Sequence, residues 1–322
     1  GGAGGDDSGP VQPDVRILDS VNVRDAGFRK CRAGGLTTLN VMPGSALLAS
    51  GQTVYLKLRR ANTIDDMLCR DSAGAPLGGL KMANGTNSQK DPPFPGTRGK
   101  SAAIVRQAFT KAAAYRDKIA RAEGDQEKLP ARDLELEPLV EALEGRRIVH
   151  HHAHRADDIL TVLRLREEFG FKVVLHHVSE AWKVAPEIAR SGAGCSVIVL
   201  DSPGGKIEAM DFSLVNGAVL EHEGVACAFH TDDPVNDSRL FLRSAALAVR
   251  AGMSREKALE ALTIAGARML DLDARVGSLT VGKDADLVVL SGDPFALRTK
   301  VLETYVEGEK RSEEHTSELQ SR

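Results

Sequence analysis

The run IVHHHAHRADDI, residues 148–159, places His150, His151, His152 and His154 within five positions. Two further runs end in the same chemistry: KVVLHHV carries His176 and His177, and AFHTDDP carries His230, Asp232 and Asp233. Imidazole and carboxylate are ligands of a catalytic divalent ion. When they converge from separate strands rather than from one local turn, a coordination position stays open. A strand alternates its faces, so His150, His152 and His154 share one side and His151 points to the other. A single buried histidine is ordinarily a hydrogen-bonded core residue, but three strand-like runs ending this way favour a metal centre. Within the clusters, His150, His151 and His176 are left open as supporting or solvated rings. Asp233 and Asp237 are equally open as caps of the following helix. A histidine storage tract would need a flexible segment, and these rings sit in β-branched, strand-like sequence.

Such residues need a scaffold of strands whose ends meet. Seven runs read as strands: residues 35–42, 52–58, 77–83, 147–153, 172–178, 195–201 and 225–231. Longer helical patterns separate several of them, the spelling of βα units and a parallel sheet, with chemistry collecting beyond the C-terminal strand ends. ADDILTVLRLREEFG puts Ile159, Val162 and Leu163 at helical spacing and stops at Gly170. A second helix is expected from an N-cap at Ser254, with Leu259, Leu262, Gly266 and Met269 along one face. Residues 84–100, rich in Pro, Gly and polar side chains, read as a loop long enough to be functional. VGSLTVGKDADLVVLSGDPF changes to short alternating strands, a small appended β unit.

Composition narrows the class. The 322 residues are 42% hydrophobic, 27% charged and 4% aromatic, ordinary for a soluble α/β chain. A net charge of −3 with interspersed signs offers no basic stripe, which argues against nucleic acid. No apolar run is long enough for a membrane span. Cys31, Cys69, Cys195 and Cys227 form no CxxC pair and read as reduced, buried thiols. The opening GGAGGDDSGPVQP lacks an initiator Met, so an N-terminal truncation is expected, with any signal peptide upstream and a cytoplasmic location favoured. The closing RSEEHTSELQSR has no apolar period and reads as a translated sequencing adapter, so residues 311–322 are set outside the fold.

The phrases GLTTLNVMPGSA, HAHRADDI, GGKIEAM, AFHTDDPV and LTIAGARMLDLDARVGSLTVGKDADLVVLSGDP bring a family into view. From about residue 10 to 310 the chain resembles the metal-dependent hydrolases of the amidohydrolase superfamily, in their imidazolonepropionase and prolidase-like branch. The resemblance implies an α/β fold, a distorted (β/α)8 TIM barrel over residues 10–270, with part of a small β-sandwich at 271–310. No H-x-H pair precedes Gly35, so the first barrel strand and its two ligands are expected to be missing. Carried over by position, His152, His177 and Asp232 look like metal ligands, and Asp232 also like the general base. Lys81 sits where some relatives bridge two metals with a carboxylated lysine, and Thr86 stands where relatives often carry Glu. His154 and Arg155 would orient substrate or stabilise the oxyanion, although Arg155 equally suits a pair with Asp157 or Asp158.

The implied cofactor is a divalent metal, zinc above all, as one or two ions. The implied partner is a small amide, cyclic amide or dipeptide-like substrate, with a homo-oligomer also open. The implied reaction is C–N bond hydrolysis, and the rival reading is an incomplete, inactive metal-binding barrel that holds metal weakly and aggregates through exposed strand edges.

Overall fold

In the computed structural model, which describes residues 6–199 and 206–313, the chain opens with a short helix α1 (Ala26–Ala33) and strands β1 (Thr38–Val41), β2 (Ala49–Gln52) and β3 (Val54–Lys57). Strands and helices then alternate through β4 (Leu80–Ala83), α2 (Arg98–Arg121), α3 (Glu137–Leu143), β5 (Val149–Ala153), α4 (Ala156–Phe169) and β6 (Val173–His177). The alternation continues with α5 (Ala185–Ser191), β7 (Gly194–Val197), α6 (Asn216–His222), β8 (Cys227–Phe229), α7 (Phe241–Arg250), α8 (Arg255–Leu262) and α9 (Ile264–Arg268). Strands β9 (Leu287–Leu290), β10 (Val301–Val306) and β11 (Glu309–Glu313) follow. No helix among the described residues is long and apolar enough to cross a membrane.

Strands β4 to β8 lie side by side in chain order and parallel, the arrangement of a (β/α) barrel wall. Strand β2 adds antiparallel beside β4, so β2 and β8 are the edges of this sheet among the described residues. One face of the sheet packs on the helices. Met82, Val149, Leu175, Cys195 and Cys227 share a core there with Phe109 of α2, Ile159 and Val162 of α4, and Ile188 of α5. Helix α4 forms as its spacing requires, burying Ile159, Val162 and Leu163, and Gly170 ends it at φ 79°, a left-handed value that glycine adopts without a Cβ clash. All four cysteines are free and buried, as expected.

Three expectations need correcting. The runs at 35–42 and 52–58 are not barrel strands. They form β1 and β3, an antiparallel pair in a separate sheet that faces the three-stranded sheet β11-β10-β9. The two share an apolar core of Phe28, Val54, Leu56, Leu58, Met67 and Val306. Short apolar runs do not distinguish parallel from antiparallel pairing, because both bury the same residues. The helix capped by Ser254 begins as read, with Ser254 Oγ accepting from Lys257 N at 3.2 Å, but it buries the wrong face for the expectation. Its backbone breaks at Thr263, and Ala258, Ala261 and Ala265 turn inward while Leu259 is 47% exposed. Of the four residues expected on the buried face only Met269 is buried, since alanines let the helix approach the sheet where leucines would hold it off. Finally, β11 runs three residues into the segment set outside the fold, with Ser312 paired to Thr304 and Glu313 to Glu303.

The GKDADLV phrase finds a physical task here. Lys57, on β3 and 1% exposed, places its Nζ 2.5 Å from Asp286 Oδ2 and 3.3 Å from Asp284 Oδ2. Asp286 Oδ1 also accepts from Glu307 N at 2.9 Å, so a single buried cation ties the two small sheets together. Lys57→Met is expected to lower stability by about 3–5 kcal/mol, the cost of leaving buried carboxylates without their counter-charge. Chemical denaturation would show it as a lower midpoint at an unchanged slope.

Candidate metal centre

Register carries the side chains into one cavity of about 1380 Å³. Lys81 pairs with His150, and His152 with His176, then Ser196 and Ala228, in rows across the inner face of the sheet. His151 falls on the other face, as alternation requires, and its Nδ1 lies 3.0 Å from His152 O. By the same alternation His177, in register with Ala153 and Val197, belongs to the helix-facing row. It escapes through a γ-turn: His177 has φ 69°, and Val178 N donates to His176 O at 2.9 Å. Val178, itself at φ 42°, takes the outward core place instead. Asn216 Nδ2, donating to Val178 O at 2.8 Å, braces the turn from α6. A β-branched residue at positive φ is strained, typically by about 1–3 kcal/mol, and that cost keeps two successive imidazoles on one side of the sheet.

The rings form a connected cluster. His150 Nε2 is 3.1 Å from Tyr55 Oη, and its Nδ1 is 3.0 Å from His176 Nε2. His230 Nδ1 lies 2.9 Å from Ser196 Oγ, and its Nε2 lies 3.0 Å from His177 Nδ1. Asp232 Oδ2 is 4.0 Å from that same nitrogen of His177. His154 Nδ1 meets Ser179 Oγ at 2.7 Å, and the rings of His152 and His177 approach to 4.4 Å between centroids. Among the described residues three buried ring nitrogens have no hydrogen-bond partner: His152 Nδ1, His176 Nδ1 and His177 Nε2. Buried polar atoms are normally paired, so ring nitrogens left without partners on β5 and β6, with a carboxylate beyond β8, fit a site for a divalent cation.

Burial also fixes the charge state. Desolvation pushes His150 down to about 3 and His151 and His154 to about 4, and holds His152, His176 and His177 well below the ordinary imidazole value. Neutral imidazole is the form that ligates a metal. Lys81, buried beneath them, is lowered to about 8 by desolvation, which the carboxylate of Asp232 only partly offsets.

A carboxylate that strand-end reasoning missed completes the wall. Glu208 lies just before α6 on a short 3-10 turn, Ile207–Ala209. Its Oε2 accepts from Thr86 N at 2.7 Å and lies 3.8 Å from Arg98 Nη2, while its Oε1 stands 3.9 Å from His152 Nε2. Burial raises its pKa, but the His152 ring beside it, the hydrogen bond from Thr86 N and the neighbouring Lys206 ammonium outweigh that and keep it ionised, well below the usual carboxylate range. Together His152, His154 and Glu208 bring ligand atoms within 4.8 Å of one another, a group able to hold a metal ion. Only its place in the phrase GGKIEAM marked Glu208 in the sequence.

The structure therefore brings His152, His154, His177, Lys81 and Asp232 to one cavity. It does not bring Arg155 there. The Arg155 guanidinium turns outward to Asp157, with Nε 2.9 Å from Oδ1. Asp233 and Asp237 act as caps, accepting from Ser238 N at 3.0 Å and Arg239 N at 2.9 Å. The loop at 84–100 contributes Asn87, whose Nδ2 is 3.1 Å from His152 Nε2. Tyr55, Ser179, Ser196 and Lys206 were not singled out from sequence, because lone polar residues carry no period.

Several known proteins are similar to this chain. The crystal structure of an amidohydrolase from Thermotoga maritima MSB8 superposes with a TM-score of 0.87 at 34% identity, over 96% of this chain and 80% of that one. The amidohydrolase tasK of Hapsidospora irregularis is 26% identical over 326 residues, covering 92% of this chain and 32% of that protein. The imidazolonepropionase of Picrophilus torridus is 28% identical over 144 residues, covering 44% of this chain and 35% of that protein. The chain thus spans about a third of the length of these curated relatives. The model of the amidohydrolase family matches residues 132–310, from α3 through β10 and every imidazole of the cluster. With the cluster, the parallel wall and these matches together, the chain belongs to the amidohydrolase family.

Proposed function

We propose that the chain is a metal-dependent hydrolase of C–N bonds, acting on an amide, cyclic amide or dipeptide-like substrate, with zinc as the metal. The observation that carries this reading is that two buried ring nitrogens without hydrogen-bond partners, His152 Nδ1 at the end of β5 and His177 Nε2 at the end of β6, line one cavity with the Asp232 carboxylate beyond β8. His152, His177 and Asp232 would hold the ion, with Lys81 as a bridge to a second ion if carboxylated. A bound divalent ion supplies Lewis acidity and lets water ionise near neutral pH. The residues do the rest. Asp232, 52% exposed, accepts the proton of the attacking water and returns it to the leaving nitrogen. His154, anchored through Nδ1 on Ser179, presents its remaining edge to the cavity and orients the substrate. The sheet floor of Val174 and Ala228 keeps bulk water from approaching from below.

Elemental analysis of the chain purified with zinc, followed by an assay on a panel of amides and dipeptides before and after chelation, tests the reading. Stoichiometric zinc with turnover that chelation abolishes and zinc restores is the expected result. Bound zinc without turnover on any member would favour a metal-binding barrel without catalysis.

A further inference from the structure

Lys206 carries three donors and no acceptor. Its Nζ lies 3.3 Å from His152 Nε2 and 2.9 Å from Glu208 Oε1, at the side of the 3.9 Å gap between those two atoms. An ammonium in that place obliges Nε2 to present its lone pair, so any proton on the ring sits on Nδ1, the nitrogen buried without a partner. A divalent cation can reach His152 in two ways. Taken at Nε2 with Glu208 and His154, it would lie directly against the ammonium, and two cations repel at such contact. Taken at Nδ1, it needs the ring proton moved to Nε2, where the N–H would face the ammonium. Both routes require Nζ to leave.

We propose that Lys206 is a resident counter-cation of the metal site: its ammonium bridges Glu208 and His152 when no metal is bound, and a divalent cation enters by displacing it. The geometry suits an exchange of cations over a fixed carboxylate. Glu208 is held from behind by Thr86 N at 2.7 Å, and it lies so close to the backbone at Gly85 that a Cβ there would come within 2.5 Å of Oε2. Lys206, by contrast, keeps 31% of its side chain exposed and has water to swing into. The inference rests on the metal-dependent reading and adds to it a residue that sets how tightly the metal is held.

The test is the Zn²⁺ affinity of the whole chain, read by competition with a chromogenic chelator near neutral pH, for the unsubstituted protein, Lys206→Met and Lys206→Arg. A site blocked most of the time loses apparent affinity in proportion to the open fraction, so Lys206→Met should bind Zn²⁺ about tenfold more tightly. Lys206→Arg keeps a cation there and should bind no more tightly than the unsubstituted chain. Metal-free Lys206→Met should also melt a few degrees lower and gain more from added Zn²⁺. An Lys206→Met affinity equal to or weaker than that of the unsubstituted chain overturns the proposal and leaves the metal-dependent reading standing. Folded proteins that bind no Zn²⁺ in any form overturn both.

Discussion

Asp232→Asn is expected to lower kcat by about three orders of magnitude while leaving most of the bound zinc in place. The amide keeps a ligating oxygen in the same position but takes up no proton at neutral pH, so the variant separates holding the ion from moving the proton. The carboxylate is 52% exposed, and among the described residues its ion-pair neighbour, His177 Nδ1, is 4.0 Å away. Stability should therefore change by less than about 0.5 kcal/mol, the usual range for an exposed position. Zinc content by elemental analysis and kcat on the best amide substrate are the paired measurements. Near-normal turnover in Asp232→Asn would remove Asp232 from the role of base.

The metal-free protein should lose stability steeply as pH falls below about 6. His150, His151, His152, His154, His176 and His177 are all buried, and each has its folded-state pKa depressed from the ordinary 6.5 by desolvation. The unfolded chain therefore binds protons below pH 6.5 that the folded chain refuses, and stability falls with falling pH until the folded-state values, about 4 for His151 and His154, are reached. Each such ring contributes at most about 1.4 kcal/mol per pH unit, so several acting together remove a large share of the ~5–15 kcal/mol of an ordinary domain across that window. Urea midpoints measured from pH 7 to 5 check the slope. A midpoint flat across that window would mean that the imidazoles are not buried in solution. Added zinc, which competes with protons for the same nitrogens, should move the transition to lower pH.

The sequence made the parallel wall legible because period-two polarity and period-3.6 polarity alternate cleanly from β4 to β8, and Gly170 and Ser254 punctuate helices as their backbone needs dictate. Strand ends also pointed to His152, His177 and Asp232, since they concentrate polar residues that a core would otherwise exclude, whereas Lys81 was marked only by the family resemblance. The antiparallel pair β1 and β3 was not legible, because direction is set by which partner a strand finds across the chain and not by its own residues. Glu208 and Lys206 escaped for a related reason. They stand on a turn that only the folded chain carries to His152, and of the two places open to Arg155 in the sequence the guanidinium takes the one beside Asp157.

The γ-turn at His177 changes how such sites should be read in other chains. Below it, odd and even residues of β6 keep their sides, and above it they exchange sides, so the strand has a parity defect at its last residue. Two side chains that face one cavity from an undisturbed strand are separated by a residue, whereas this defect puts the adjacent His176 and His177 there together. The defect also constrains replacement: glycine at 177 would relax the backbone but remove the ring, so the conformation that exposes the ligand is tolerated only in a residue that pays for it.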